Sequence, residues 1–440
     1  MVQVRSSDHS YVGQFESLQS DTDNEAPGWL KSLRREAFRE FETLGFPTPR
    51  NEDWKYTNVA SIARQSFAMA QGTGAPSPPM TDLPGLLFSG GLCVGETRPP
   101  EALPDSVRVR SLASALRELP DLVEPHLKRQ ASEQPNGFVA LNNGFLRDGG
   151  VVHVPSGVAV STPILLSYTA EESQTPSMAH PYNLIVLERG ARAAVIELYG
   201  GADGMYLSNS VTEIVVGEGA RLEWYKVQME GPGAYHVGTT NVSLAGNGAF
   251  SSFTLDLGAR IARNDLSVRL EGEGAACEMN GLYLVSGNGH VDNHTSVDHK
   301  SSFTPSRQLY KGVLAGSSRA VFNGKVIARR GTHQVDARQT NNNLLLSNRA
   351  MVDTKPQLEI FADDLQCSHG ATVGQLNEDE LFYLASRGIG PGEARRILTF
   401  GFAKAVVAKA PNDRVRNYLT TLVDEELCRY AETGAFKEAL

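Results

Sequence analysis

At 440 residues the chain is too long for one small hydrophobic core and calls for two or three structural units. Its 41 Lys and Arg stand against 50 Asp and Glu, a formal charge of -9 that excludes the basic excess of a general nucleic-acid binder. Charged residues make up 21%, which argues against disorder driven by charge, and the 42 glycines point to many tight turns. Cys93, Cys277, Cys367 and Cys428 show no CxxC spacing, so neither a disulfide framework nor a structural zinc site is expected. There is no apolar run of 18 residues to span a membrane. The opening lacks a charged-then-apolar leader and carries Asp8, Glu16, Asp21, Asp23 and Glu25, so the cytoplasm is the expected compartment.

The first 25 or so residues are polar and read as a loose arm. A helix follows, with Leu30, Leu33, Ala37, Phe38, Phe41 and Leu44 at helical spacing and Gly45 and Pro47 as its stop. Residues 71–84 have the Gly, Ser and Pro content of a linker. A second helix is expected over 112–128, where Leu112, Leu116, Leu119, Leu122 and Leu127 recur. Residues 1–144 therefore form a mostly helical N-terminal region.

From about Phe145 the pattern changes to short alternating runs between Gly and Asn turns, for example 151–154, 193–198 and 221–225. Strands without intervening helices mean a sandwich, a barrel or a β-helix. Two features favour a parallel β-helix over 145–370. The tetrapeptide Gly-Glu-Gly-Ala recurs at 217–220 and 272–275, each time ahead of a strand, as in the coils of a solenoid. Asn341, Asn342 and Asn343 lead into three leucines, as if Asn side chains stacked at a bend. Residues 371–440 return to helix. Asn377 and Glu380 form a capping-box pair before Leu381 and Leu384, and Gly388 is a stop. Pro391 opens the next helix, and Val415, Tyr418, Leu419, Leu422 and Val423 mark the clearest amphipathic face. A cap on the end of the solenoid or a partner protein would bury that face.

No GxxxxGK[ST], GxGxxG or GxSxG motif is present, so the chain does not itself look like an ATPase. His290, His294 and His299 lie close together, but strand parity separates His299 from the other two. One strand cannot aim all three at one ion, and solvated or hydrogen-bonded histidines are the simpler reading. Cys367 and His369 are a sharper pair. On one strand they project to the same face, with Cα atoms roughly 7 Å apart. Thiolate and imidazole together suit soft metals and iron–sulfur chemistry. Two ligands do not complete a site, so a second chain or sulfide must supply the rest. On spacing alone, a buried Cys beside a hydrogen-bonded His at a domain junction explains the pair as well.

Several segments resemble SufD-type subunits of the SUF iron–sulfur cluster assembly system. They are VDNHT at 291–295, QLYKGVL at 308–314, AVFNGK at 320–325, NNNLLLS at 341–347 and DTKPQLEI at 353–360. The most specific is CSHGATVGQL at 367–376, followed by LFYL at 381–384 and SRGI at 386–389. EDWKYT at 52–57 is similar to an N-terminal Trp-Lys/Arg-Tyr-Thr element of the same family. The paralogous SufB pattern has Glu-His-Glu-Ala and Ser-Lys-Ile where this chain has Ser-His-Gly-Ala and Val-Gly-Gln-Leu. A SufB-like scaffold is thus the alternative the motif disfavours. The chain departs from the family in the N-terminal arm and around 329–333.

The resemblance implies a right-handed parallel β-helix between helical regions and a non-catalytic scaffold subunit that pairs with SufB edge to edge. The C-terminal helices would bind the SufC ATPase, with Tyr418, Leu419 and Leu422 as candidate contacts. Cys367 and His369 match the family positions at the SufB–SufD interface, as candidate ligands of iron or a nascent cluster. The isolated chain is expected to hold no cofactor stably, and a homodimer is allowed when it is alone. A transient iron–sulfur cluster, and room for a flavin, belong to the assembled complex. A rival class, the β-helix polysaccharide enzymes, needs paired carboxylates along a groove. The adjacent Asp363 and Asp364 would point to opposite faces of a strand.

Overall fold

Strands of alternating burial coil into two sheets, parallel except for one antiparallel pair at the N-terminal end of each, in the computed structural model, which describes residues 8–22, 26–74, 79–97, 103–131, 136–170, 173–201 and 203–434. One sheet runs from Met351–Ile360 through Arg319–Ala328, His290–His299, Ile261–Leu270, Tyr235–Leu244, Tyr206–Val216 and Tyr182–Leu187 to Gly150–Val154 and Arg108–Ser111. The other runs from Asp364–Gly374 through His333–Leu345, Pro305–Leu314, Ala276–Val285, Ala249–Asp256, Arg221–Met229 and Arg192–Gly201 to Ile164–Ala170, Gly85–Ser89 and Leu92–Glu96. Successive strands alternate between the sheets, so the chain winds a parallel β-helix of about eight turns. The sheets reach upstream of the expected start at 145, because Gly85–Ser89 and Arg108–Ser111 already belong to them.

Parallel in-register pairing stacks identical positions of successive coils into columns. Ala193, Leu222, Phe250, Cys277, Ser306, Ala337 and Cys367 form one. Val195, Trp224, Ser252, Met279, Gln308, Gln339 and His369 form the next. Both columns face the interior, where Leu222, Trp224, Phe250 and Met279 share the main core. The repeated Gly-Glu-Gly-Ala turns stack as well: Gly190 N–H donates to Glu218 O at 2.8 Å and Gly219 N–H to Gly246 O at 2.9 Å. Gly219 (φ 65°) and Gly274 (φ 70°) occupy the left-handed region that a side chain disfavours. Asn341 and Asn343 lie inside the strand His333–Leu345 rather than at a bend. Their amides are satisfied there: Asn341 Nδ2 donates to Tyr283 Oη at 3.0 Å, and Asn343 Nδ2 to Asn341 Oδ1 at 2.7 Å.

Helices cover the outer face of each sheet. The expected loose arm instead contains a helix, Asp8–Thr22, because Tyr11, Phe15 and Leu18 form a buried stripe on it. Phe15 stacks on Phe38 of the helix Gly28–Leu44 at 4.1 Å. The helix expected over 112–128 is two helices, Leu112–Glu118 and Pro120–Ala131. Pro120 drives the preceding Leu119 out of helical geometry, to φ -134° and ψ 45°. At the other terminus, Pro391–Val407 and Asp413–Glu432 lie along the flank of the second sheet. There Val406, Val415, Leu419, Val423 and Leu427 pack with Leu255, Leu282 and Val313. These helices cover a side of the solenoid, not its end.

Candidate functional site at the open end of the solenoid

The last coil consists of Met351–Ile360 and Asp364–Gly374, each paired on one side only among the described residues. Both strands therefore present a free backbone edge, the feature that templates pairing with another chain. Apolar side chains surround it: Met351 is 51% exposed, Phe361 59% and Val373 49%. Apolar exposure beside an open edge is a combination that association surfaces share.

Cys367 and His369 sit on that final strand, on the inward-facing columns, with no coil above them. Cys367 is half-buried with Leu365 against Ala328, Val335 and Ala362. Burial pushes its thiol pKa up and nearby Asp336 adds to this, opposed by a hydrogen bond to the backbone of Ala337. The thiol is thus protonated near neutrality, and a metal would have to displace that proton to bind it. His369 is exposed and stands over Gln339, its register partner.

The other candidate residues lie elsewhere. His290 Nε2 is 2.9 Å from Thr57 Oγ1, and His294 Nε2 is 3.1 Å from Asp292 Oδ1, both on the outer face. His299 points inward, with Nδ1 at 2.8 Å from Thr304 Oγ1 and Nε2 at 3.0 Å from Ser306 Oγ. The three histidines do not converge. Among the described residues no group of three His, Cys, Asp or Glu is placed to hold a metal ion. Leu419 and Leu422 are buried in the chain's own core, and Tyr418 lies partly buried with Oη 4.0 Å from Met229 Sδ. The expected partner-facing stripe is therefore occupied internally. Among the described residues the C-terminal helices expose the large apolar side chains Phe382 (75%), Tyr383 (57%) and Ile397 (39%).

Two features lay beyond the sequence reading. The 52–57 element docks on the first sheet: Trp54 lies over the Arg263 guanidinium at 4.3 Å, and Thr57 donates to Asp292. The solenoid interior also holds charge. Glu197 accepts from Trp224 Nε1 and Tyr199 Oη, both at 2.8 Å, and from Asn183 Nδ2 and Thr212 Oγ1, both at 3.1 Å. Lys226 is fully enclosed nearby, and burial pushes its ammonium below the ordinary range against the pull of Glu197, Asp256 and Glu230. The signal for these residues was parity: Glu197 and Lys226 share the register position of inward-facing neighbours.

A family model described as SUF system FeS cluster assembly, SufBD core domain, matches residues 168–402. A second, described as SufBD protein N-terminal region, matches 5–75 and 86–166. The chain is 29% identical to the iron–sulfur cluster assembly protein SufD of Escherichia coli, over 92% of this chain and 95% of that protein. It is 28% identical to an iron–sulfur cluster assembly SufBD family protein of Synechocystis, over 87% and 88% of the two chains. With SufD of Bacillus subtilis the identity is 25%, over 96% and 98%.

Proposed function

Because the chain belongs to the SufBD family of iron–sulfur cluster assembly proteins, we propose that it is a SufD-type scaffold subunit offering half of an assembly site. The observation that carries this reading is the placement of Cys367 and His369 on the uncovered last coil. A cluster takes about four protein ligands, so one thiol and one imidazole need a second donor set. A partner of like architecture, SufB, would pair along the free edges and face its own ligands toward these two. Iron and sulfide are then cargo passing through a joint site, and the isolated chain has no chemistry of its own to perform. The SufC ATPase would supply ATP turnover, docking on the exposed Phe382–Tyr383 side of the C-terminal region rather than on the buried Leu419 face.

The test is anaerobic co-purification of the chain with SufB and SufC, followed by iron and sulfide analysis. His369→Ala should lower both without releasing the subunit from the complex, and Cys367→Ala should do so less. Full cluster yield from the double variant would remove the basis of the proposal.

A further inference from the structure

Gln339 occupies the position beneath His369 in the inward column. It is 2% exposed, and its Nε2 donates to Gln308 Oε1 at 3.3 Å. Gln308 Oε1 also accepts the Thr295 hydroxyl at 2.7 Å. The Gln339 amide thus directs Nε2 toward the coil below. Gly324 on the opposing sheet provides the room: a Cβ there would lie 1.6 Å from Gln339 Nε2. The amide is wedged in place.

Gln339 Oε1 is buried and has no hydrogen-bond partner among the described residues. A buried carbonyl oxygen without a donor costs about 1–3 kcal/mol, so a nearby N–H should be drawn to it. The column continues one position beyond Gln339, to His369, and ends there. Adjacent strands are about 4.8 Å apart, a spacing an imidazole N–H bridges by a rotamer change.

We propose that Gln339 Oε1 accepts the ring N–H of His369, which selects one imidazole tautomer and turns the unprotonated nitrogen out across the open end. Gln339 is a positioning residue: it touches no cargo and acts through the ring. A metal-binding histidine whose second nitrogen is held in this way is fixed in orientation and made a stronger donor. The inference rests on the assembly role proposed above, since only there does the outward nitrogen meet iron.

The test reads the imidazole ¹⁵N shifts of His369 in the isolated, metal-free full-length chain, assigned by their loss in His369→Ala. The wild type should show one tautomer, with well-separated protonated and unprotonated nitrogens. Gln339→Met should collapse them toward the average of an exposed histidine, and Gln339→Glu, which keeps an acceptor oxygen, should retain the separation. Averaged shifts in the wild type, or shifts unmoved in Gln339→Met, would overturn the proposal. In the complex with SufB and SufC, Gln339→Met should lower bound iron about tenfold and Gln339→Glu should restore most of it. The two readings fail separately: loss of the single tautomer removes the role of Gln339, whereas iron content unchanged by His369→Ala removes the assembly site.

Discussion

Arg263 and Asp292, each with a 1% exposed side chain, meet at 2.6 Å beneath the Trp54 ring. Arg263 also donates to Asp53 O at 2.8 Å and to Asp265 Oδ1 at 2.7 Å. One guanidinium thus ties the 52–57 element to two coils of the first sheet, and the aromatic face and carboxylates offset its desolvation.

Removing one partner of this pair should therefore be expensive. Asp292→Asn leaves Arg263 buried with less compensation and should cost about 3–5 kcal/mol at pH 7. Burial alone would raise the Asp292 pKa, but Arg263 and His294 hold its carboxyl well below the ordinary range. A carboxyl so depressed stabilises the fold above its unfolded value near 4, and that contribution is lost only as pH falls further, through the folded value. The stability difference between wild type and variant, measured by urea unfolding, should thus be the same at pH 7 and pH 5. Protease cleavage within 50–64 should also quicken in the variant. A difference that disappears by pH 5 would show that the carboxylate is not held as described.

The C-terminal helices separate two kinds of apolar residue. Leu419 is wholly buried against the solenoid flank, so Leu419→Ala should cost about 2–5 kcal/mol of stability. Phe382 and Tyr383 touch solvent, and Phe382→Ser with Tyr383→Ser should leave stability within about 0.5 kcal/mol. The same pair of changes should weaken binding to the SufC ATPase tenfold or more if that face is the docking surface, as loss of an aromatic anchor does. Thermal unfolding and a binding titration on the same samples decide it. Normal affinity in the double variant would leave this face without a partner.

The contrast shows what a single sequence holds. The apolar stripe through Leu419 and Leu422 was readable from spacing, because helical periodicity is local. What covers the stripe was not, because that depends on Leu255, Leu282 and Val313 more than a hundred residues away. Cys367 and His369 could be placed on one strand face for the same local reason. The openness of that face is a property of the whole solenoid, set by the absence of a further coil in the described chain. Asn341 and Asn343 suggested a bend, since Asn favours turns. The interior hydroxyl of Tyr283, sixty residues upstream, lets them stay in a strand. Pro120 was visible all along, and the leucines on either side of it gave a helical period that outweighed it.

Acid sensitivity should carry the mark of His180. Its ring is buried against Phe145, accepts from Asn209 Nδ2 at Nδ1, and is pushed down to about 3 by burial. Between an unfolded value near 6.5 and that folded value, the unfolded chain binds a proton that the native chain refuses. Stability therefore falls with decreasing pH across this window, by about 1.4 kcal/mol per unit for this one group. His180→Asn keeps an acceptor for Asn209 and removes the titration, so its stability-against-pH slope between pH 6 and 4 should be shallower by one proton. His299, pushed down to about 4, remains in both proteins and leaves a residual slope. Identical slopes would mean that His180 titrates normally in the folded chain.

Two glycines on the second sheet make opposite predictions. At Gly312 a Cβ would lie 2.1 Å from Tyr283 Cε2 and 2.6 Å from Asn343 Oδ1. Gly312→Ala must therefore displace a ring and an amide in a packed interior, at about 1–3 kcal/mol, and lower the thermal midpoint. At Gly370, on the last coil, a Cβ would meet nothing within 4 Å, so Gly370→Ala should leave the isolated chain's midpoint unchanged. That space lies on the outer face of the last strand, opposite to the His369 side chain and beside the free edge a pairing subunit would cover. If SufB covers the open end, the methyl group that costs nothing alone should weaken heterodimer formation in a pull-down at limiting partner concentration. Equal recovery of Gly370→Ala and wild type would place the contact surface away from the outer face of this last strand.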